Sequence, residues 1–116
     1  MISVRHVVYN KDGKVSNSLE LRQYDSDLIL VRDDEEDIYP ILSEITTFDI
    51  ERYYPEHMDS LIKELTTLKK TLAKKSQKDY IDEVISLCQR CLDRNEGEIV
   101  FNPFTNIIRI GSKEKN

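Results

Sequence analysis

The spacing of hydrophobic positions along this chain first predicts β-structure. Residues 2–9 are rich in β-branched side chains and partly alternate, which predicts a strand. Residues 10–14 contain an Asp-Gly pair, the signal of a tight turn, and residues 17–23 alternate leucines with polar residues, which predicts a second strand. The short apolar run at 28–32 predicts a third, central strand. We therefore expect an N-terminal three-stranded antiparallel meander.

After the meander the apolar spacing becomes helical. Ile38, Leu42 and Ile45 recur at helical spacing, so residues 38–45 are predicted to form a short helix with Pro40 in its first turn. Residues 46–54 are predicted to be a loop with aromatic side chains available to the core. These aromatic residues are Phe48, Tyr53 and Tyr54.

Two longer amphipathic helices are predicted next. The first begins near Pro55, and the second begins near Ser76 and stops before Gly97. Each has an apolar stripe at spacings of three and four. The stripes consist of Met58, Leu61, Ile62, Leu65, Leu68 and Leu72, and of Ile81, Val84, Ile85, Cys88, Cys91 and Leu92. The short polar turn between them predicts an antiparallel helical hairpin.

The chain is expected to close with a strand near residues 98–102 and a frayed tail at 112–116. Whether residues 105–110 add a further strand is left open. We therefore predict a single α+β domain over residues 1–116, in which the helical hairpin packs on one face of an antiparallel sheet. The other face would be solvated, covered by a loop or used by a partner.

Charge is concentrated in the middle of the sequence. The net charge is −5, yet residues 25–64 alone hold thirteen acids and three bases, a net of −10. Overall acidity argues against nucleic-acid binding, which requires lysines and arginines to neutralise phosphates. The N-terminus lacks the pattern of a signal peptide, and no apolar run could span a bilayer. We expect a cytoplasmic protein that does not associate with membranes.

No pattern of catalytic or cofactor-binding residues stands out. The three glycines form no phosphate-binding loop or dinucleotide fingerprint, and His6 and His57 have no nucleophile elbow beside them. Glu44 with Asp49 could in principle act as an acid–base pair. We nevertheless expect a protein that is not an enzyme, with no catalytic residue, no cofactor and no metal.

Two further clusters have simple structural interpretations. Cys88 and Cys91 form a C-x-x-C pair, but they lie late in a helix and on its apolar stripe, so core packing is favoured over redox or metal chemistry. Lysines gather where the two helices meet, where a solvated basic helix end is the simplest interpretation and binding of phosphate or an acidic partner is the alternative. These lysines are Lys69, Lys70, Lys74, Lys75 and Lys78.

The five consecutive acids at residues 33–37 have two competing interpretations. They could simply start the helix predicted at 38–45, where the helix dipole favours negative charge, or they could dock onto a cationic partner. A calcium loop is disfavoured because alternating oxygen ligands and a central glycine are missing. The predicted partner-binding residues are Asp33, Asp34, Glu35, Glu36, Asp37, Asp49, Glu51, Glu56 and Asp59.

Two blocks of the sequence resemble a group of small bacterial proteins. Residues 40–45 match its proline-aliphatic block and residues 61–68 match its L-x-x-E-L-x-x-L helix. Thr46 departs from the aspartate usual in the group, and residues 52–54 depart from its Thr-x-Phe. Small acidic α+β proteins of this kind are similar to the immunity proteins of bacterial toxin systems, which bind and block a basic toxin.

The functional prediction combines the charge pattern with this resemblance. We expect a non-enzymatic, immunity-like binding protein that presents its acids to a basic protein partner, such as a cognate toxin. The alternative is a structural or assembly module that acts as a homo-oligomer, with a homodimer built on the open sheet face or an edge strand.

Overall fold

In the computed structural model, the described part of the chain forms a four-stranded antiparallel sheet covered on one face by two α-helices. The structure describes residues 2–13, 15–20 and 27–104. The strands lie in the order β2-β1-β4-β3. Their bounds are β1 Ser3–Tyr9, β2 Val15–Glu20, β3 Glu51–Tyr53 and β4 Glu98–Asn102. The α+β class, the antiparallel sheet and the helical hairpin are confirmed.

Alternation along the two central strands separates a core face from an outer face. Val4 of β1 and Phe101 of β4 are paired in register and belong to the hydrophobic core. Val7 and Val100 are also buried but lie outside that core cluster, on the opposite face. Successive strand residues point to opposite faces, so this assignment follows from the register.

The helices pack their predicted stripes onto the core face. A 3₁₀ turn at Pro55–His57 leads into α1, Met58–Thr71, and α2 follows at Lys75–Arg94. Proline in the turn that precedes α1 agrees with its preference for helix starts. The fully buried stripe residues are Met58, Leu61, Leu65, Leu68, Ile81, Val84, Cys88 and Cys91. The two predicted stripes are therefore confirmed as core.

The end of α2 is built from residues with positive φ. Asn95 caps the helix in the left-handed region at φ 50°, and Gly97 has φ 80°. A Cβ atom on Gly97 would collide with the carbonyl oxygen of Val7 and come within 3.0 Å of His6 Nε2. Only glycine therefore lets the chain turn from α2 into β4 this close to β1.

The predicted third strand of the meander is wrong. Residues Asp27–Leu30 form a 3₁₀ helix, and residues 31–32 follow without regular structure. A meander would pair this run with β2, which lies at the edge of the sheet, but the run packs against the core and does not form a strand pair. Leu30 is instead fully buried in the core, with Ile29 and Val31 packed against it.

The helix predicted over residues 38–45 is also wrong. Only Leu42–Glu44 is helical, as one 3₁₀ turn. The Leu42 N–H, which would donate to the Ile38 carbonyl in an α-helix begun at residue 38, donates to Glu64 instead. The predicted loop 46–54 instead contains strand β3. Of its aromatic residues, Tyr53 is buried, whereas Phe48 and Tyr54 are exposed.

Several predictions fall outside the described residues. These are the end of the second strand at residues 21–23, the further strand at 105–110 and the frayed tail at 112–116. Within the described ranges, none of the helices has the length and apolar character needed to cross a membrane.

Candidate functional site

The connection between the first 3₁₀ helix and α1 is the most distinctive surface of the molecule. We call residues 33–59 the acidic segment. It has little regular structure, but it is fixed to the core by Tyr39, Leu42 and Ile45, whose side chains are at most 3% exposed. Its backbone path is therefore determined by packing.

A buried carboxylate adds polar anchoring to the acidic segment. Glu64 of α1 is 7% exposed, and its Oε1 accepts hydrogen bonds from the backbone N–H groups of Ile41, at 3.0 Å, and Leu42, at 2.9 Å. These donors open the 3₁₀ turn, where backbone N–H groups lack partners within the helix. Tyr53 adds a second tie, donating its hydroxyl to Glu44 Oε1 at 2.9 Å. Burial and this bond raise the pKa of Tyr53.

Seven of the nine predicted partner-binding residues are exposed to solvent. Glu35 is partly buried and lies 3.5 Å from Arg32 Nη1. Glu51 is also partly buried, and its pKa is raised by burial and then by the neighbouring Glu44 and Asp49. The exposed residues are Asp33, Asp34, Glu36, Asp37, Asp49, Glu56 and Asp59.

The acidic run does not start a helix. Residues 33–37 are irregular, with turns at 33–34 and 36–37, and the next helical residue is Leu42, in a 3₁₀ turn of three residues. The helix-dipole interpretation is therefore wrong, because no α-helix begins beside these acids. Solubility and docking remain as explanations for the charge.

Sequence reasoning missed the exposed apolar side chains of the same segment. The described residues contain six exposed large hydrophobic side chains, and four of them lie within or between the acids: Ile38, Phe48, Ile50 and Tyr54. Phe48 is 78% exposed and Ile38 is 59% exposed. The pattern could not reveal this, since Ile38 fits a helical stripe and aromatic residues are more often buried than exposed.

A cavity lies where the acidic segment meets α1. Its volume is about 300 Å³, and its walls include Asp37, Ile38 and Pro40 from the segment and Lys63 and Glu64 from the helix. Acidic and apolar groups of the segment therefore line a shared concave surface.

The outer face of the sheet carries a second polar cluster, which sequence reasoning also missed. Glu98 of β4 is 5% exposed, and its Oε1 accepts a hydrogen bond from the Tyr9 hydroxyl at 2.8 Å and one from Arg52 Nη1 at 2.6 Å. The bond to Glu98 raises the pKa of both donors. The three residues come from three strands, so no local sequence signal links them.

The cysteines and histidines are engaged in packing or in hydrogen bonds with the backbone. Cys88 and Cys91 are free and fully buried, and burial raises both thiol pKa values, that of Cys91 to about 11. Such thiols are poor nucleophiles. His6 Nε2 lies 3.0 Å from the Glu96 carbonyl oxygen, and His57 Nδ1 accepts the N–H of Tyr54 at 3.0 Å.

The lysine cluster is partly neutralised by ion pairs. Lys69 lies 2.8 Å from Asp82, and Lys75 lies 2.7 Å from Asp79. Lys69, Lys70 and Lys78 share a cavity of about 290 Å³. Among the described side chains, no group of three or more histidine, cysteine or acidic residues is arranged to hold a metal ion.

Comparison with known proteins adds no relative: no family model matches the chain, and neither a curated protein nor a solved structure is significantly similar to it.

Proposed function

We propose that this protein is a non-enzymatic binding module whose acidic segment docks onto a basic protein partner. One observation carries the proposal: four of the six exposed large hydrophobic side chains among the described residues fall in the segment that holds the exposed acids. Single exposed hydrophobic residues are ordinary, so the proposal requires a partner that covers several of these side chains.

The composition of the segment suits an interface with two kinds of contact. Phe48 and Ile38 are the most exposed of its apolar side chains, and side chains of this kind supply binding energy when a partner buries them. The surrounding carboxylates would form the rim, where complementary charge accelerates association and disfavours wrong partners. Together these groups select for a basic surface with an apolar depression.

Anchoring of the segment lowers the cost of binding. The Glu64 carboxylate fixes the turn that starts at Ile41, and the Tyr53 hydroxyl fixes Glu44. A surface that is already ordered loses less conformational entropy when it binds. An irregular connection held in this way can serve as a preformed recognition surface.

An immunity-like role is the specific version of this proposal. The sequence resemblance suggests this role. A basic toxin is the kind of partner that an acidic surface with exposed hydrophobic side chains would bind. We expect binding to occur in the cytoplasm, because the two cysteines are free thiols, which reducing compartments maintain.

The test is affinity capture from the cells that carry this chain, followed by measurement with the purified partner. The triple variant Asp33→Lys, Asp34→Lys, Glu36→Lys reverses three exposed charges and leaves the Arg32–Glu35 pair intact. We expect it to abolish capture of a basic protein. Phe48→Ala should weaken binding by about tenfold or more, since an apolar anchor contributes roughly 2 kcal/mol.

Matched controls separate site-specific effects from overall charge. The triple variant Asp12→Lys, Asp93→Lys, Glu96→Lys makes the same change in net charge at exposed positions outside the segment, and Phe104→Ala removes another exposed aromatic side chain. Both should bind normally. Equal loss in the control and segment variants would show that only net charge matters and would contradict the proposal.

The alternative, a homo-oligomeric assembly module, makes a different prediction. It would use the outer sheet face, on which neither α1 nor α2 packs, or the edge strand β3. Light scattering at high protein concentration decides between the two. A monomer that captures a basic partner supports the docking proposal, whereas a dimer unaffected by Phe48→Ala supports the assembly role.

A further inference from the structure

The outer face of the sheet contains a cavity that is separate from the acidic segment's cavity beside α1. It measures about 200 Å³. Its lining combines two guanidinium groups, a phenol and an amide with aliphatic side chains. The lining residues are Arg5, Val7, Tyr9, Ile50, Arg52, Val100 and Asn102.

Strand register explains how two arginines from distant parts of the sequence flank one apolar residue. Arg5 of β1 and Arg52 of β3 are both paired with Val100 of β4. Neighbouring strands lie about 4.8 Å apart, so the two arginine Cα atoms are separated by roughly 10 Å across the row. Val7 and Val100, each 6% exposed, form a dry floor between them.

The Arg52 guanidinium is held in a fixed position. Its Nη1 donates to Glu98 at 2.6 Å, and Glu98 is held from the other side by the Tyr9 hydroxyl at 2.8 Å. No hydrogen bond from Nε or Nη2 joins Arg52 to the described residues, although the Tyr9 hydroxyl is close enough to interact. The Arg52 side chain is 47% exposed, so a ligand can reach it from solvent.

From these contacts, the geometry points to a binding site for a small organic carboxylate on the outer face of the sheet. The planar Nε–Nη2 edge matches the two oxygens of a carboxylate in bidentate geometry. Val7, Val100 and Ile50 would contact the apolar body of the ligand. The apolar floor favours an organic acid over an inorganic anion, because only a ligand with an apolar body gains free energy by covering these side chains.

Benzoate is a suitable probe, with benzamide as its neutral isostere and inorganic phosphate as the anion without an apolar body. Titrations followed by ¹⁵N-resolved NMR at constant ionic strength would report the backbone of β1, β3 and β4 and the Arg52 Nε–H. We expect saturable benzoate shifts there, with nuclear Overhauser effects from the ring to the Val100 methyl groups. Benzamide should bind at least tenfold more weakly.

Arg52→Lys is the decisive variant. Lysine keeps a cation beside Glu98 but loses the bidentate edge of the guanidinium. Arg52→Met would instead leave the Glu98 carboxylate buried without a cation. In Arg52→Lys we expect benzoate affinity to fall about tenfold or more. Arg94→Lys, at an exposed position near the end of α2, is the matched control and should bind benzoate normally.

Four outcomes would overturn the assignment. These are the absence of saturable shifts with the unmodified chain, unchanged benzoate affinity in Arg52→Lys, equal affinity for phosphate and benzoate, and shifts confined to residues outside the outer face. None of them bears on whether the exposed acids at 33–37 and Phe48 bind a protein, because the variants that test that proposal leave Ile50, Arg52 and Glu98 unchanged.

Discussion

Replacing Gly97 with alanine tests whether the close approach of α2, β4 and β1 is as tight as the structure shows. Two separate costs are expected. The first is the positive φ of 80°, which costs an L-residue about 1–2 kcal/mol. The second is the collision of the new Cβ with the Val7 carbonyl oxygen, with His6 Nε2 also only 3.0 Å away. Overpacking of this kind typically costs about 1–3 kcal/mol.

Gly13→Ala isolates the first cost. Gly13 has φ 79°, almost the same as Gly97, but a Cβ added to it meets no atom within 4 Å. We therefore expect Gly13→Ala to lose about 1–2 kcal/mol and Gly97→Ala about 2–5 kcal/mol, a large part of the 5–15 kcal/mol that stabilises a typical domain.

Urea unfolding followed by far-UV circular dichroism measures both variants, since the chain has no tryptophan. With a slope of about 2 kcal/mol per molar urea, the extra cost for Gly97→Ala lowers the midpoint by about 0.5–1.5 M relative to Gly13→Ala. Equal midpoints for the two variants would refute the steric argument. Gly97 precedes Glu98, so Gly97→Ala should also weaken benzoate binding, whereas Gly13→Ala should not.

Two further predictions concern buried polar groups. Glu64→Ala should destabilise the fold by about 2–4 kcal/mol in urea unfolding, because it leaves the Ile41 and Leu42 N–H groups without their acceptor. Glu64→Gln keeps an oxygen acceptor and should cost about 1 kcal/mol. Equal losses in the two variants would show that the charge of Glu64, and not its hydrogen bonds, stabilises the fold. Stability should also fall as the pH rises above about 9, because burial raises the pKa of both Cys88 and Cys91, that of Cys91 to about 11, so the folded state keeps protons that the unfolded chain releases above the ordinary value of 9.0. Urea midpoints that stay constant between pH 8 and pH 10 would contradict this cause.

The long elements were predictable because each contains enough residues to show the hydrophobic repeat of a helix or a strand. Local spacing predicts the apolar stripes of α1 and α2 and the alternation of β1. The turn at residues 10–13 follows from Gly13, which has a positive φ. The burial of Cys88 and Cys91 followed from the same stripe. These features need no information about which other segments they contact.

The short elements depended on contacts with distant parts of the chain. The apolar run predicts a strand at residues 28–32, but the chain forms a 3₁₀ helix that buries Leu30 in the core and does not pair with the edge strand β2. Residues 51–53 became a strand because the free edge of β4 was available to them. A run of three to five residues carries too little periodic signal to decide between such outcomes.

The two candidate sites were also only partly predictable from the sequence. The sequence by itself determined that negative charge is concentrated between residues 25 and 64, because charge depends on composition alone. Only the tertiary structure decided that Ile38 and Phe48 are exposed among those acids and that Arg52 meets Tyr9 and Glu98 on one face. Exposure and the meeting of distant strands depend on long-range packing, which no local pattern encodes.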